Sequence, residues 1–227
     1  TNNGTFTAGT GTVVFNATST GKTLSGTMTG TSKFFNVNFN SASGAWDCGA
    51  NSIDVGGVFS VTATAGAGVK APSTTLKVAG NFVRGAGGTF DANGGTVEFN
   101  GTAAQTFPGA AVTFNNVSVS KITNTVTATA ATTINGTLTT LSASVLNMST
   151  FQLLGTTDGT ANAGILSTAN ANNPAIPTGR TWGGLVRYVG GNQTVAQGSY
   201  NNLSLIGTTG TRGFTAGKKT VAGNFSV

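Results

Sequence analysis

Gly95-Thr-Val-Glu-Phe99, followed by Phe114-Asn-Asn-Val-Ser-Val119, is the most informative part of this chain for its architecture. A similar sequence pattern recurs as Gly184-Leu-Val-Arg-Tyr188, followed by Tyr200-Asn-Asn-Leu-Ser-Leu205. An internal repeat of this kind is typical of structural units that have no complete core of their own and bury their apolar faces by stacking on neighbours. The sequence therefore predicts a repeat architecture.

A looser copy of the repeat stands near the start of the chain. Gly11-Thr-Val-Val-Phe15 leads to Phe34-Phe-Asn-Val-Asn-Phe39, with a longer connection between the two halves. The three copies divide the chain into approximate units 4–87, 88–183 and 184–227, and the last unit would continue into a following copy. We expect one continuous structure over residues 1–227 rather than separate domains.

Apolar residues alternate with small or polar ones throughout the repeats. Val13 and Phe15, Val97 and Phe99, and Leu203 and Leu205 are each separated by one residue. Alternation with a period of two is typical of strands with one buried face. Gly, Asn, Ser and Thr, which favour turns, fill the segments between them. The fold class is predicted to be all-β.

The spacing of the strand landmarks favours one all-β fold over another. Gly11, Phe34, Gly57 and Gly80 follow one another at intervals of 23 residues. This interval suits one coil of a right-handed parallel β-helix, a β-solenoid with about three short strands and 22–23 residues per coil. A tandem β-sandwich is the alternative, although sandwiches usually show turn signals every 8 to 12 residues. Residues 140 to 184 lose the interval.

Two sets of residues are predicted to stack along the axis of such a solenoid, because equivalent positions lie about 4.8 Å apart in adjacent coils. Aromatic side chains should form the core, and asparagines should form ladders at the turns. The predicted core residues are Phe15, Phe34, Phe59, Phe82, Phe99, Phe114, Tyr200 and Phe225. The predicted turn-ladder residues are Asn36, Asn116 and Asn202.

The least regular part of the sequence contains the best candidate for a binding surface. Residues 160–182 include Pro174 and Pro177, and proline cannot donate to a strand ladder, so an irregular loop excursion is expected there. Arg180, Trp182, Arg187 and Tyr188 lie in or beside it and form the candidate ligand-binding patch. A surface loop beside a buried tryptophan is the simpler interpretation.

Composition excludes several classes of function. The chain has 11 Lys and Arg, 5 Asp and Glu, and no His, so Ser-His-Asp and Cys-His catalysis are excluded. The basic residues are scattered, which disfavours a nucleic-acid surface. Cys48 is the only cysteine, so neither an intramolecular disulfide nor a Cys-x-x-Cys metal site can form. No apolar run is long enough for a membrane-spanning helix. We expect no enzyme activity, no cofactor, no catalytic residues and no metal site.

Two further functions of β-solenoids are weakly indicated. A polysaccharide-active β-helix enzyme needs facing carboxylates, and the pairs Asp47 with Asp54 and Asp91 with Glu98 are the candidates. An ice-binding solenoid needs a Thr-x-Thr column repeated in every coil, but Thr62-Ala-Thr64 and Thr127-Ala-Thr129 have no copies between them. Both functions are less favoured than a structural one.

The end of the chain repeats an internal segment. Thr220-Val-Ala-Gly-Asn-Phe225 resembles Lys77-Val-Ala-Gly-Asn-Phe82, which is followed by Gly88-Thr-Phe90 and Gly95-Thr-Val97. If Thr1 followed Val227, Gly4-Thr-Phe6 and Gly11-Thr-Val13 would fall at the same distances. Neither end shows the polar cap that solenoids usually carry. We expect copies of this chain, or adjacent repeats, to stack head to tail, and a contact of that kind gives a filament when it does not close.

The residues 95 to 109 and 114 to 119, with their copy at 184 to 205, resemble the β-strand-repeat modules of large bacterial cell-surface and adhesin-like proteins. Residues 4 to 39 match the same pattern more loosely, and the matching segments include no active site. The resemblance implies an extracellular location at the cell surface and a structural role in a surface filament or adhesin stalk. A module that binds glycans or another cell surface is the alternative.

Overall fold

Parallel strands wind into an all-β solenoid of about 10 turns with about 21 residues per turn in the computed structural model. The structure describes residues 1–64, 68–207 and 209–227. The prediction of a parallel β-solenoid is confirmed. Every strand pair within the described residues is parallel, so the tandem β-sandwich alternative, which requires antiparallel sheets, is wrong.

The strands are short and are separated by corners of a few residues. The first nine are β1 (Thr12–Phe15), β2 (Lys22–Thr23), β3 (Asn36–Phe39), β4 (Ala45–Asp47), β5 (Ile53–Val55), β6 (Phe59–Val61), β7 (Gly68–Lys70), β8 (Thr75–Val78) and β9 (Phe82–Arg84). The next nine are β10 (Thr89–Asp91), β11 (Thr96–Phe99), β12 (Gln105–Phe107), β13 (Val112–Phe114), β14 (Asn116–Val119), β15 (Thr125–Ala128), β16 (Thr132–Ile134), β17 (Leu138–Thr140) and β18 (Val145–Asn147). The last eight are β19 (Leu153–Leu154), β20 (Ile165–Thr168), β21 (Arg180–Tyr188), β22 (Gln193–Val195), β23 (Gly198–Leu205), β24 (Arg212–Phe214), β25 (Lys219–Val221) and β26 (Phe225–Ser226). A 3-10 helix (Gly30–Ser32) lies between β2 and β3.

Three faces run along the solenoid. Face A contains β1, β3, β6 and β9 and continues through β12, β15, β18, β20, the ends of β21 and β23, and β26. Face B contains β2, β4, β7 and β10, and then β13, β16, β19, β22 and β24. Face C contains β5, β8, β11, β14 and β17, and then the starts of β21 and β23, and β25. Strands β21 and β23 each turn a corner from face C to face A.

The length of a coil varies along the chain, which explains why the interval of 22–23 residues is not kept. Thr12 pairs with Asn36 in the first coil, whose corner includes the 3-10 helix. Val145 pairs with Ile165 in the middle of the chain, and Val186 pairs with Leu203 near its end. Corner length therefore changes while strand register is kept, because each inward side chain must stay above an inward neighbour.

Alternate residues of each strand form the core. In β11 and β14, the second and fourth residues are buried and the first and third are partly exposed. The core is one continuous cluster of apolar side chains that runs from Met28 to Leu205. Burial of these side chains and parallel backbone pairing hold the coils together, since no disulfide is available.

The prediction of an irregular loop excursion at 160–182 is wrong for part of that segment. Strand β20 lies within it and pairs with β18 on one side and β21 on the other. Ala175 and Ile176 are fully buried, and the N–H of Leu153 donates to the carbonyl of Ala175 at 3.1 Å. Pro174 lies in a bend beside this inward segment and Pro177 is itself buried, so the solenoid continues where the sequence interval is lost.

The sequence repeat does not return to the same face. Gly95–Phe99 lies on face C as β11, whereas its copy Gly184–Tyr188 lies on face A as the end of β21. The repeat unit therefore does not contain a whole number of coils. Among the described residues, no helix has the length and apolar character needed to cross a membrane.

Candidate functional site

The candidate ligand-binding patch does not form one surface. Trp182 and Tyr188 are both 0% exposed and lie in the core. Arg180 and Arg187 are partly exposed on the same strand, β21. Because side chains alternate along a strand, Arg187 points outward where its neighbour Tyr188 points inward. The prediction that these four residues gather at a binding surface is therefore wrong for the two aromatic members.

The buried tyrosines have a structural role instead. The hydroxyl of Tyr200 donates to the carbonyl of Ala196 at 2.7 Å, and the hydroxyl of Tyr188 accepts from the N–H of Ala196 at 3.1 Å. Desolvation raises the pKa of both tyrosines above the ordinary value. Both rings stay neutral and hold the corner between β22 and β23 in place.

The predicted aromatic core is correct away from the two ends of the solenoid. Phe59 stacks on Phe82 with a centroid separation of 5.1 Å, and Phe15 stacks on Phe39 at 4.9 Å. Of the eight predicted core residues, six are buried: Phe34, Phe59, Phe82, Phe99, Phe114 and Tyr200. Phe15 is only partly buried and Phe225 is 53% exposed, because each lies on a terminal coil.

The three asparagines connect coils, but they do not form amide ladders. Asn36 Oδ1 accepts from the N–H of Val58 at 2.7 Å, and Asn202 Oδ1 accepts from the N–H of Asn224 at 2.8 Å. Asn116 Oδ1 accepts from the N–H of Thr137 at 2.9 Å. Each asparagine therefore binds the backbone of the next coil rather than another amide side chain. An amide ladder does not form because a glycine, rather than another asparagine, lies next to each asparagine in the following coil.

Only glycine fits at this position, because the asparagine side chain occupies the space that a Cβ would need. A Cβ at Gly57 would lie 2.3 Å from Asn36 Oδ1, and a Cβ at Gly223 would lie 2.6 Å from Asn202 Oδ1. The N–H of Gly57 also donates to the carbonyl of Phe35 at 2.7 Å. The recurring contact is called the Asn-Gly clamp below, and its members are Asn36 with Gly57, Asn116 with Gly136, and Asn202 with Gly223. A glycine one coil after each asparagine is the sequence signal that identifies it.

A buried glutamine holds one corner in each of the two clear repeats, a role that the sequence analysis did not assign. Gln193 Oε1 accepts from the N–H of Gly190 at 2.6 Å, and its Nε2 donates to the carbonyls of Thr168 and Asn170 in the preceding coil. Gln105 makes the equivalent contacts with Gly101, Val78 and Gly80. Burial of the amide is offset because both of its ends are paired.

Lys121 is a second residue that the sequence analysis missed. Its side chain is buried, and Nζ donates to the carbonyl of Ala103 at 2.6 Å, to Gln105 Oε1 at 2.9 Å and to the carbonyl of Gly101. Desolvation lowers the pKa of this ammonium group below its ordinary value, while the oxygen acceptors favour the charged form. Through these hydrogen bonds Lys121 connects its own coil to the corner of the preceding coil.

The acidic residues pair with bases or with backbone rather than with each other. Asp47 Oδ2 lies 3.1 Å from Lys70 Nζ, and Glu98 Oε2 lies 3.6 Å from Lys77 Nζ. Each pair joins adjacent coils on an outward face. A hydrogen bond from the Gly49 N–H and the contact with Lys70 lower the pKa of Asp47. Within the described residues, no group of three or more Asp, Glu, Cys or His side chains could hold a metal ion.

The Thr-rich segments do not line up as an ice-binding face would require. Thr127 pairs with Thr106 on one side and with Asn147 on the other, so its column does not continue as threonine.

The N-terminal coil leaves strand edges and apolar side chains open. Strand β1 pairs only with β3 and β2 only with β4 within the described residues. A cleft of about 330 Å³ opens into the core at this end. Its apolar lining consists of Phe6, Val13, Phe15, Leu24, Met28 and Phe34. An edge of this kind is a template for pairing with another strand.

The C-terminal coil presents the opposite edges. Strand β24 pairs only with β22, and β25 and β26 pair only with β23 among the described strands. Phe214 and Phe225 are 55% and 53% exposed. Among the described residues, both end coils therefore leave strand edges unpaired and apolar side chains exposed. Comparison with models of protein families, with curated proteins and with solved structures finds no match to this chain.

Proposed function

We propose that this chain is a structural repeat module of an extracellular surface filament or adhesin stalk, which stacks head to tail on neighbouring modules of the same kind. The observation that carries the proposal is the state of the two end coils, where strand edges with no partner in the described part of the chain surround exposed apolar side chains. An adjoining coil would pair the edges and cover Phe225 in the same step. The gain combines backbone hydrogen bonds with apolar burial.

Contacts between coils suit a structural role along the axis. The Asn-Gly clamp, the corner glutamines and the outward ion pairs all join one coil to the next. Stability is therefore built from contacts between neighbours, as in other solenoids, and added modules extend the stack without a new core. The proposal assigns no catalytic step to the chain.

The isolated chain tests the proposal. We expect residues 1–227 to form concentration-dependent rods in analytical ultracentrifugation and electron microscopy, with one chain adding about 48 Å per 10 coils at a spacing of about 4.8 Å. Phe225→Ser should weaken association because it removes an exposed aromatic from an end coil. Ile122→Ser is the matched control, since Ile122 is 77% exposed but lies in the middle of the solenoid.

A monodisperse monomer at all concentrations would contradict the proposal, as would equal weakening by both serine variants. The extracellular part is tested separately. Antibodies raised against the purified chain should label intact cells of the source before permeabilisation. Labelling only after permeabilisation would contradict the surface location.

A further inference from the structure

The end of the chain has a structural copy inside it. Lys77–Phe82 runs from face C to face A through β8 and β9, and Thr220–Phe225 runs from face C to face A through β25 and β26. In both segments a glycine N–H donates to a backbone carbonyl of the preceding coil. Gly80 donates to the carbonyl of Gly57 at 2.8 Å, and Gly223 donates to the carbonyl of Asn201 at 2.7 Å. The internal segment therefore shows what coil fits on top of the terminal one.

The coil that follows Phe82 consists of β10 on face B and β11 on face C. Thr89 pairs with Gly68 in β7, and Thr96 pairs with Thr75 in β8. The sequence of this coil contains Gly88-Thr-Phe90 and Gly95-Thr-Val97, and the N-terminal segment contains Gly4-Thr-Phe6 and Gly11-Thr-Val13.

The N-terminal segment is already placed to act as such a coil. The N–H of Asn2 donates to the carbonyl of Ser25 at 2.8 Å, and the N–H of Thr27 donates to the carbonyl of Asn2 at 2.9 Å. The ring of Phe6 lies 5.5 Å from the ring of Phe34. These contacts tie the segment to the coil after it. Its other edge has no strand partner within the described residues.

We infer that the partner of the C-terminal coil is a second module of this chain, whose residues 4–15 form the next coil in the register of β10 and β11. In this register β24 on face B pairs with residues 5–7 of the second module, and β25 on face C pairs with its β1, so face A of the second module continues face C of the first. Val14 then lies opposite Thr220, and Phe15 lies opposite Val221. The inference rests on the proposed head-to-tail stacking and adds its register.

The side chains support this register. Phe82 packs edge-on against Phe90 with a centroid separation of 5.1 Å, so Phe225 should pack against Phe6 of the second module in the same way. Val14 is 51% exposed and Thr220 is exposed, and they take the places of the outward residues Glu98 and Lys77. The 3.6 Å contact between Lys77 and Glu98 shows that two outward side chains at these positions reach each other.

Disulfide cross-linking between copies tests the register. The double variant Val14→Cys with Thr220→Cys should give a ladder of covalent multimers under mild oxidation, because neighbouring strands bring the two Cα atoms within the roughly 4.4–6.8 Å that a disulfide needs. The control is Thr12→Cys with Thr220→Cys, which shifts the pair by two residues on the same exposed side of β1. Cys48 is buried and stays unreacted.

A charge test gives an independent result. Val14→Glu with Thr220→Lys reproduces the Lys77 and Glu98 pair and should keep association, whereas Val14→Glu with Thr220→Glu places like charges opposite each other. We expect the second variant to associate about five-fold more weakly at low salt, with the difference lost at high salt.

The outcomes separate the two proposals. If the unmodified chain associates but the Val14 and Thr220 cysteines form no ladder, or the Thr12 control forms an equal one, the register is wrong while head-to-tail stacking stands. If the unmodified chain does not associate, both proposals are overturned.

Discussion

The side-chain oxygen of Asn116 occupies the space in which residue 136 would carry its Cβ, so only glycine fits at that point of the next coil. A Cβ built on Gly136 lies 2.3 Å from Asn116 Oδ1. The same oxygen accepts from the N–H and the hydroxyl of Thr137, both at 2.9 Å. One asparagine and one glycine, a coil apart in sequence, thus define how two coils stack.

Replacing this glycine should destabilise the fold. Gly136→Ala forces Asn116 away from Thr137, and overpacking of this kind costs about 1–3 kcal/mol of unfolding free energy. Urea unfolding measures it. Gly85→Ala is the matched control, because its nearest contact, the Val61 carbonyl, lies at an ordinary 3.5 Å. If alanine at 85 and at 136 cost the same, the clamp has no special role.

The inward and outward positions of β13 should differ strongly in their tolerance of substitution. Phe114→Ala removes a fully buried ring and should cost about 3–5 kcal/mol, whereas Thr113→Ser at the exposed neighbouring position should change stability by no more than about 0.5 kcal/mol. Chemical denaturation of both variants checks this. Similar losses for the two would mean that the assignment of inner and outer faces is wrong.

Lys121→Met should destabilise the protein at neutral pH, because the carbonyls of Gly101 and Ala103 lose their ammonium donor inside the fold. We expect a loss of about 1–3 kcal/mol. Lys33→Met is the control, since Lys33 is exposed.

The pH dependence of that difference is a second readout. Desolvation lowers the pKa of Lys121 in the folded state below the ordinary value of 10.5. The unfolded chain therefore binds more protons there than the folded chain, and wild-type stability relative to the methionine variant should rise with pH up to about that value. A difference that shrinks with rising pH would contradict the burial of the ammonium group.

Cys48 should be unreactive in the folded protein. Desolvation, with a smaller effect from Asp47, raises the pKa of its thiol from 9.0 to about 12. At pH 8, a thiol reagent should modify Cys48 only after denaturation, since the thiolate is the reactive form. The contribution of the protonated thiol to stability is complete below pH 9 and is lost as pH rises through about 12. Native Cys48 that reacts as fast as a free thiol would refute this.

Local patterns were sufficient for some features and insufficient for others. Alternation placed Phe59, Phe82 and Phe114 in the core, because side-chain direction in a strand depends only on position along it. The same rule places Trp182 and Tyr188 inside, in agreement with the simpler interpretation of a buried tryptophan, but Pro174 and Pro177 suggested a surface loop beside them. The buried contacts of Lys121 with Gly101 and Gln105 could not be foreseen, since they join residues from different coils at a corner whose length varies.

The strand pattern, the parallel stacking and the equivalence of the two segments that end in Phe82 and Phe225 could be predicted from the order of residues. These features follow from period-two alternation and from a repeated sequence pattern. The face on which each repeat lies depends on the three-dimensional structure, because corners of unequal length place β11 on face C and its copy in β21 on face A. The three-dimensional structure also decided that the asparagines bind backbone rather than each other, since a close approach between coils depends on the stacking distance, which no single segment contains.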